Sequence, residues 1–471
     1  MLDFRLAWRN LWRNRRRTLI TAASLFFAVF FALVMRSLQL GAYDRLFKNV
    51  IESYTGYIQL QNKDYLDEPI LDNGFELEPG LPAKLENDPN VKGVIPHLES
   101  FALAAAGSRT QGVMVIGVNP EKEAEFSGIK NRLVKFRLSP DAIAELKKGS
   151  IPSRTRRLLD VFAGESFTSD YRLMSDLGIK NEDSSYVLPL FRRDASFVNH
   201  YLSKDDTDKL VIGNGLARYL KVNPGDTVVL MGQGYHGTSA AGKYVVKGIV
   251  ELPAPDIDNI LVYMDMNSAS ELYGASGMAT SAIVSLRNDD DESITLTADR
   301  LKQGISDPMV VRTWRELNAL LVNQMEADNR SGMIMIGVLY LVIAFGVFGT
   351  VLMMMAERRR EFGMLVSVGM QKRRLAKVIS LEMLLMGLLG VAAGVIASLP
   401  VVFYGHYHPI RFTGEMARMY EDYGFEPIMP TMLPGGFYLW QIVIVLIILA
   451  IAIAFSVRKI FRMNVINALK A

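Results

Sequence analysis

The chain has 471 residues, of which 50% are hydrophobic and 21% charged, with no cysteine and a net charge of +3. Such a composition excludes a disordered or collagen-like chain. The missing cysteines exclude a disulfide scaffold, Cys-ligated zinc, iron–sulfur clusters and a Cys nucleophile.

Residues 1–17 are basic. Phe4, Trp8, Leu11 and Trp12 recur at i, i+4, i+7 and i+8, with Arg5, Arg9, Arg13 and Arg16 on another face. This spacing predicts an amphipathic helix lying on the inner membrane surface; a plain charged flank is the simpler alternative. Thr18–Met35 carries no charge and, closed by a snorkelling Arg36, makes a first span over 18–36. It is longer than the apolar core of a signal peptide, and Leu38–Ala42 is a poor cleavage site, so the segment is expected to stay. Nearly 300 residues follow (37–330), too many for a loop and therefore a folded domain. Strands are predicted at Gly56–Gln61, Val113–Val118, Thr227–Gly232, Tyr244–Glu251 and Ile260–Met264, with shorter ones at Ala282–Leu286 and Met309–Thr313. Helices are predicted at Asp141–Lys148, Asn214–Tyr219, Ser268–Tyr273, Ser293–Gln303 and Trp314–Met325. Without a βαβ rhythm this reads as an α+β domain. Residues 130–205, rich in Arg, Asp and Ser, read as an inserted subdomain or a mobile excursion.

Three further apolar runs follow: 331–356, 378–405, interrupted by Glu382, and 435–457. Each is long enough to cross a bilayer, which needs about 20 apolar residues. The expected fold is therefore an α-helical membrane protein with four transmembrane helices and one large α+β domain. The segments 1–17, 357–377 and 458–471 hold seventeen basic and three acidic residues, a net of fourteen positive charges. Since the whole chain carries only +3, the remainder carries eleven negative charges. The positive-inside rule then predicts both termini and the 357–377 loop in the cytoplasm, with 37–330 and 406–434 outside. Glu382, one turn from the inner end of its span, reads either as a functional ionisable group or as a partner of Lys377 or Arg374.

Motifs for chemistry are sparse. Gly237-Thr-Ser-Ala-Ala-Gly242-Lys243-Tyr244 lacks the Ser or Thr that a phosphate-binding loop needs after its Lys, and a strand follows it, so it reads as a hairpin loop. His406 and His408 make a poor zinc pair and read as interfacial. Asp289-Asp-Asp-Glu292 lacks the spacing of a calcium loop and reads as a solvated turn. The basic clusters lie at span ends, where anionic lipid accounts for them without nucleic acid.

The inner loop is the most informative stretch. Glu357-Arg-Arg-Arg-Glu361-Phe362-Gly363-Met364-Leu365-Val-Ser-Val-Gly369 predicts a short amphipathic helix from about Arg360 to Val368, between two basic clusters. Such a helix either passes force from a soluble partner to the spans or is a structural re-entry turn. The stretch resembles the Glu-Arg-x-Arg-Glu-hydrophobic-Gly signature of FtsX-like, MacB-type ABC transporter permeases. Ala7–Arg17, Trp314-Arg-Glu-Leu317 and the ending Asn464-Val-Ile-Asn-Ala-Leu469 are similar to the same family. Ser37–Leu60 is more loosely similar to its lipoprotein-releasing LolC/LolE branch.

The resemblance implies four spans of a multi-pass inner-membrane protein and a porter-like periplasmic domain with an inserted part. It implies that Glu357, Arg360, Glu361, Phe362, Gly363, Met364, Leu365 and Gly369 form a coupling helix docking on separate cytoplasmic ABC ATPase subunits. ATP and magnesium would then sit on the ATPase, with no cofactor, metal or catalytic residue on this chain, which is expected not to be an enzyme. The implied partners are the ATPase, a second permease copy or paralogue, membrane lipids, a lipoprotein substrate and a periplasmic partner. On the lipoprotein-releasing reading, Phe26, Phe27, Phe30, Phe31 and Met35 line a path for acyl chains, or else make ordinary lipid and helix contacts. The alternatives are efflux with a periplasmic adaptor, or a non-transporting regulator of a cell-wall hydrolase.

Overall fold

The computed structural model describes residues 2–13, 15–196, 198–412, 414–422 and 426–464. The chain divides into two compact units: Met1–Arg45, Asn323–Ile410 and Ile428–Ala471 form a helical unit, and Leu46–Val322 with Arg411–Pro427 a sheet unit.

The helical unit is built from α1 (Leu2–Arg13), α2 (Arg15–Val50), α3 (Ala319–Glu357), α4 (Arg359–Ser367), α5 (Lys372–Tyr407) and α6 (Gly436–Phe461). Among the described residues, α2, α3, α5 and α6 are long and apolar enough to cross a membrane. All four run past the limits read from hydropathy, α2 and α3 the furthest. Arg36 does not close α2: it donates to Gln39 Oε1 at 2.8 Å and Asn329 Oδ1 at 2.7 Å, and the helix continues to Val50. The expected helix Trp314–Met325 is broken at Asn318, whose backbone leaves the helical region while its side chain donates to the Trp314 carbonyl. The preceding turn, Trp314–Leu317, is held by a capping box in which Glu316 accepts from the Thr313 amide at 2.6 Å.

Glycines set the packing of α5. A Cβ at Gly390 would lie 2.6 Å from the Ala22 carbonyl oxygen, and one at Gly394 2.9 Å from that of Phe26, so the α2 backbone runs against this side of α5. Gly390 and Gly394 have the small-xxx-small spacing that lets membrane helices approach closely. Gly387 faces Leu449 of α6. On α3, Ile336, Tyr340, Ile343, Val347 and Val351 are buried at intervals of three and four, which is one helical stripe. Tyr340 hydrogen-bonds Gln441 of α6, so a polar pair is satisfied inside an apolar core.

The sheet unit holds nine main strands: β1 (Ile58–Asn62), β2 (Val91–Ala106), β3 (Arg109–Val118), β4 (Lys209–Gly213), β5 (Thr227–Gln233), β6 (Ser239–Val250), β7 (Leu261–Asp265), β8 (Ser281–Leu286) and β9 (Met309–Thr313). Their order is β9-β1-β8-β2-β3-β7-β4-β6-β5, and β2 also pairs with β5. That last pairing closes β2, β3, β7, β4, β6 and β5 into a ring and covers the edge at β5, leaving β9 as the edge of the sheet. Leu98, Val115, Ile212, Leu230, Ile249 and Val262 fill its interior.

Residues 136–196 form helices Pro140–Lys148, Ser153–Val161, Asp170–Asp176 and Ser184–Asp194 with a small antiparallel pair of strands, Phe136–Arg137 against Ser166–Phe167. They bury a core of their own, including Leu146, Leu159, Phe167, Leu173 and Phe191, as a folded subdomain does. The sequence between α5 and α6 contributes to the same unit, with Arg411 donating to Asp176 at 2.8 Å and Glu426 accepting from Asn49 at 2.8 Å.

Candidate functional site

The nine-residue helix α4 lies between two interruptions of the backbone. At one end α3 stops at Glu357. At the other, Gly369 takes a φ of +106°, and the amides of Gly369 and Met370 bond the carbonyls of Val366 and Leu365. This is a Schellman motif, which satisfies the last carbonyls of the helix and requires a residue free of a Cβ penalty at Gly369.

A helix of nine residues is marginal alone, so its inner face must anchor it. Phe362 is buried in one core with Leu11, Met355, Leu375 and Ile379, and Gly363 beside it is buried. Arg358 and Glu382 are only 6% and 5% exposed. Arg358 Nη1 donates to both Glu382 oxygens, at 2.9 and 2.8 Å, while its Nε donates to Glu361 at 3.1 Å. Its guanidinium also lies 5.3 Å from the Phe362 ring centroid. Burial works against the charge of Arg358, but Glu382 and Glu361 outweigh it and raise the pKa of the guanidinium.

Glu382 thus pairs with neither Lys377 nor Arg374, the partners expected from sequence. Both turn to Asp3 of α1, with Arg374 Nε at 3.1 Å and Lys377 Nζ at 4.0 Å. Those two lie on the exposed side of α5, whereas Glu382 is buried on its inner side, where Arg358 meets it.

The outer face of α4 is different. Arg359, Arg360, Met364, Leu365 and Val368 are exposed, Val368 to 89%. Glu357 and Gly369 are exposed at the two ends, and Glu361 is half-buried. The expected site residues therefore fall on one short helix and its flanks, but on two faces: Phe362 and Gly363 hold the helix, and Met364 and Leu365 are free to meet something else. Sequence reasoning missed Arg358 and Val368. The signal for Arg358 was its position four residues before Phe362 and three before Glu361, which places all three on one helical side.

On α1, Ala7 and Leu11 are buried, while Phe4, Trp8 and Trp12 are exposed along one line, with Trp8 and Trp12 in edge contact at 6.1 Å. Leu11 thus belongs to the protein core rather than to the outer apolar face that the sequence spacing gave it. Phe26, Phe27, Phe30, Phe31 and Met35 run along α2. Phe26 stacks on Phe30 at 5.8 Å and Phe27 on Phe31 at 6.0 Å. Phe27, Phe31 and Met35 are exposed and Phe26 and Phe30 half-buried; they form an open apolar stripe, not an enclosed channel. Gly237–Tyr244 turns between β5 and β6 and enters β6, as a hairpin does. Asp290 caps the helix Asp291–Gly304 through the Ser293 amide at 2.9 Å. His406 hydrogen-bonds the Thr431 carbonyl at 2.8 Å. No cluster of three metal-ligating side chains occurs among the described residues. Residues 465–469 of the expected C-terminal signature, and Lys470, lie outside the described residues.

Residues 333–465, which contain α4, α5, α6 and the larger part of α3, match the family described as FtsX-like permease C-terminal. The chain is 21% identical over 314 residues to the lipoprotein-releasing system transmembrane protein LolC of Xylella fastidiosa, covering 66% of this chain and 60% of that protein. It is 23% identical over 192 residues to the LolC of Neisseria meningitidis serogroup B, covering 40% and 46%. The chain thus spans about 60% of the length of the first of these relatives. The periplasmic region of MacB from Actinobacillus actinomycetemcomitans aligns with 59% of the chain at 11% identity and a TM-score of 0.32. The family match and the LolC relatives bear out the resemblance to FtsX-like ABC permeases that the inner loop carries.

Proposed function

We propose that this chain is a permease subunit of an ATP-driven membrane complex, in which α4 docks on a separate ABC ATPase and passes its closure to the spans. One observation carries the reading: α4 is anchored on its inner face by Phe362 and Arg358 and offers Met364, Leu365 and Val368 to solvent on its outer face. Exposed apolar side chains rimmed by Arg359 and Arg360 are what a partner surface would cover. A helix fixed to the spans would carry the partner's motion to them as a shift between two populated states. The ATPase would hold ATP and magnesium, the chain itself lying in the inner membrane as one of two permease copies. The names of the LolC relatives favour a lipoprotein, or another acylated substrate, as the cargo. Phe26, Phe27, Phe30, Phe31 and Met35 would then contact acyl chains leaving the bilayer.

Docking is tested by co-purification of an ATPase with the full chain from its own cells. Gly363→Pro breaks α4 at its middle and is expected to abolish the association, and Val368→Asp to weaken it strongly. Association unchanged in both variants overturns the docking site. The cargo is tested by reconstituting the chain with that ATPase and a triacylated lipoprotein; a lipoprotein left in the membrane after ATP is added overturns extraction.

A further inference from the structure

We propose that Arg358 is the positioning residue of α4, tying it to α5 and α1 so that the three helices move as one body. The inference rests on the docking reading for its purpose, but not for its geometry. Phe362 anchors α4 at one point, but the backbone leaves the helix on both sides of it, at Arg358 and at Gly369, so a directional tie is needed to fix its angle. Arg358 is the residue at the first of these joints, and it engages two carboxylates with different nitrogens: Nη1 bonds Glu382 of α5 and Nε bonds Glu361 of α4 itself. Glu361 also accepts from Arg13 Nη2, the last residue of α1, at 3.3 Å. The other end of α1 returns to α5 through Asp3 and Arg374 at 3.1 Å. The contacts therefore close a circuit from α5 to α4 to α1 and back, with Ala7 and Leu11 buried inside it.

The exposed members of this circuit contribute little individually. The buried member is different in kind. A buried ion pair is poor value for stability, because well-packed apolar residues of similar volume serve as well or better, while its directionality fixes one arrangement. At a joint, that directionality is what a transmitting helix needs. Lysine substitutes only in part, because one ammonium does not span both carboxylates as a guanidinium does.

The chain has no cysteine, so labels can be placed without removing any. Spin labels at Met364→Cys and Lys377→Cys, both exposed, report the distance between α4 and α5 in the full chain in phosphatidylethanolamine–phosphatidylglycerol nanodiscs. The parent is expected to give a narrow distribution. Glu382→Gln is expected to widen it about twofold or more, and Arg358→Lys to widen it less. The double variant Arg358→Met/Glu382→Leu guards against simple misfolding: it is expected to melt no lower than the parent and still to show the wide distribution. A double variant as narrow as the parent overturns the proposal, as does a narrow Glu382→Gln. Capture of an ATPase is measured on the unlabelled parent. A parent that captures none while the widths change as stated overturns the docking reading and leaves the positioning role of Arg358 supported.

Discussion

His97 sits inside the sheet unit with Glu123 2.8 Å from its Nε2 and Glu99 3.8 Å from its Nδ1. Burial alone would lower its pKa; the two carboxylates reverse that and push it up to about 9 from an ordinary 6.5. Burial works against the charge of Glu99 as well, yet its pKa falls below the ordinary value because His97, Tyr54 and Ser281 favour the carboxylate. The imidazolium therefore stabilises the fold fully below pH 6.5, and this contribution is lost as the pH rises from 6.5 through about 9. The expected loss is on the order of 3 kcal/mol across that window. Thermal unfolding of the sheet unit should move to lower temperature between pH 6.5 and 9, and His97→Gln should flatten the dependence. Melting that is independent of pH over this range in the parent would mean that His97 is neutral in the folded chain. Tyr54, from the turn that follows α2, donates to Glu99 at 2.7 Å, so the same network fixes the start of the sheet.

Among the elements, close approach separates one class of glycine from another. At Gly390 a side chain would meet the Ala22 carbonyl and Leu25 Cβ, atoms that cannot swing away, whereas nothing lies within 4 Å of a Cβ at Gly346. Gly390→Leu should therefore destabilise the helical unit by about 1–3 kcal/mol or more, as overpacking does, and Gly346→Leu should be close to neutral. Melting in detergent of the two variants checks this, and equal losses would argue against the α2–α5 contact. Gly369→Val replaces the left-handed residue that ends α4 and should cost about 1–3 kcal/mol of local helix stability, read as faster amide exchange over Phe362–Val368. Much of this level was legible in the sequence. The four long helices follow from uncharged runs, and α4 lies within one residue of its expected bounds at each end. Strand β2 was not legible: Pro96 and the alanines at 102 and 104–106 argue against a strand, and only pairing with β8, β3 and β5 makes it one. Nor was the partner of Glu382, because Arg358 lies 24 residues away and no local period connects them. The extension of α2 past Arg36 escaped for the opposite reason: its polar outer turns continue the helix without continuing the hydropathy.

Over the whole molecule, charge separates along the chain more sharply than its net value implies. The flanks 1–17, 357–377 and 458–471 carry fourteen net positive charges, and the rest carries eleven net negative. Several of the basic residues are committed within the helical unit, since Arg13, Arg358 and Arg374 are all in ion pairs. Arg5, Arg9, Arg359 and Arg360 are exposed, in segments that also expose Trp8, Trp12 and Val368. A surface with cations and tryptophans side by side suits an anionic inner leaflet, and the positive-inside rule then orients all four spans together. The expected arrangement has α4 and both termini in the cytoplasm and the sheet unit on the opposite side. Single cysteines in the otherwise cysteine-free chain test it. A membrane-impermeant maleimide added to intact spheroplasts should label Tyr171→Cys, which is exposed on the sheet unit, and leave Ser367→Cys on α4 unlabelled until the cells are lysed. Labelling of Ser367→Cys before lysis would invert the orientation and remove α4 from the reach of any cytoplasmic ATPase. Neutralising Arg5 and Arg9 alone should leave the orientation unchanged, because the 357–377 loop retains its own excess of five positive charges.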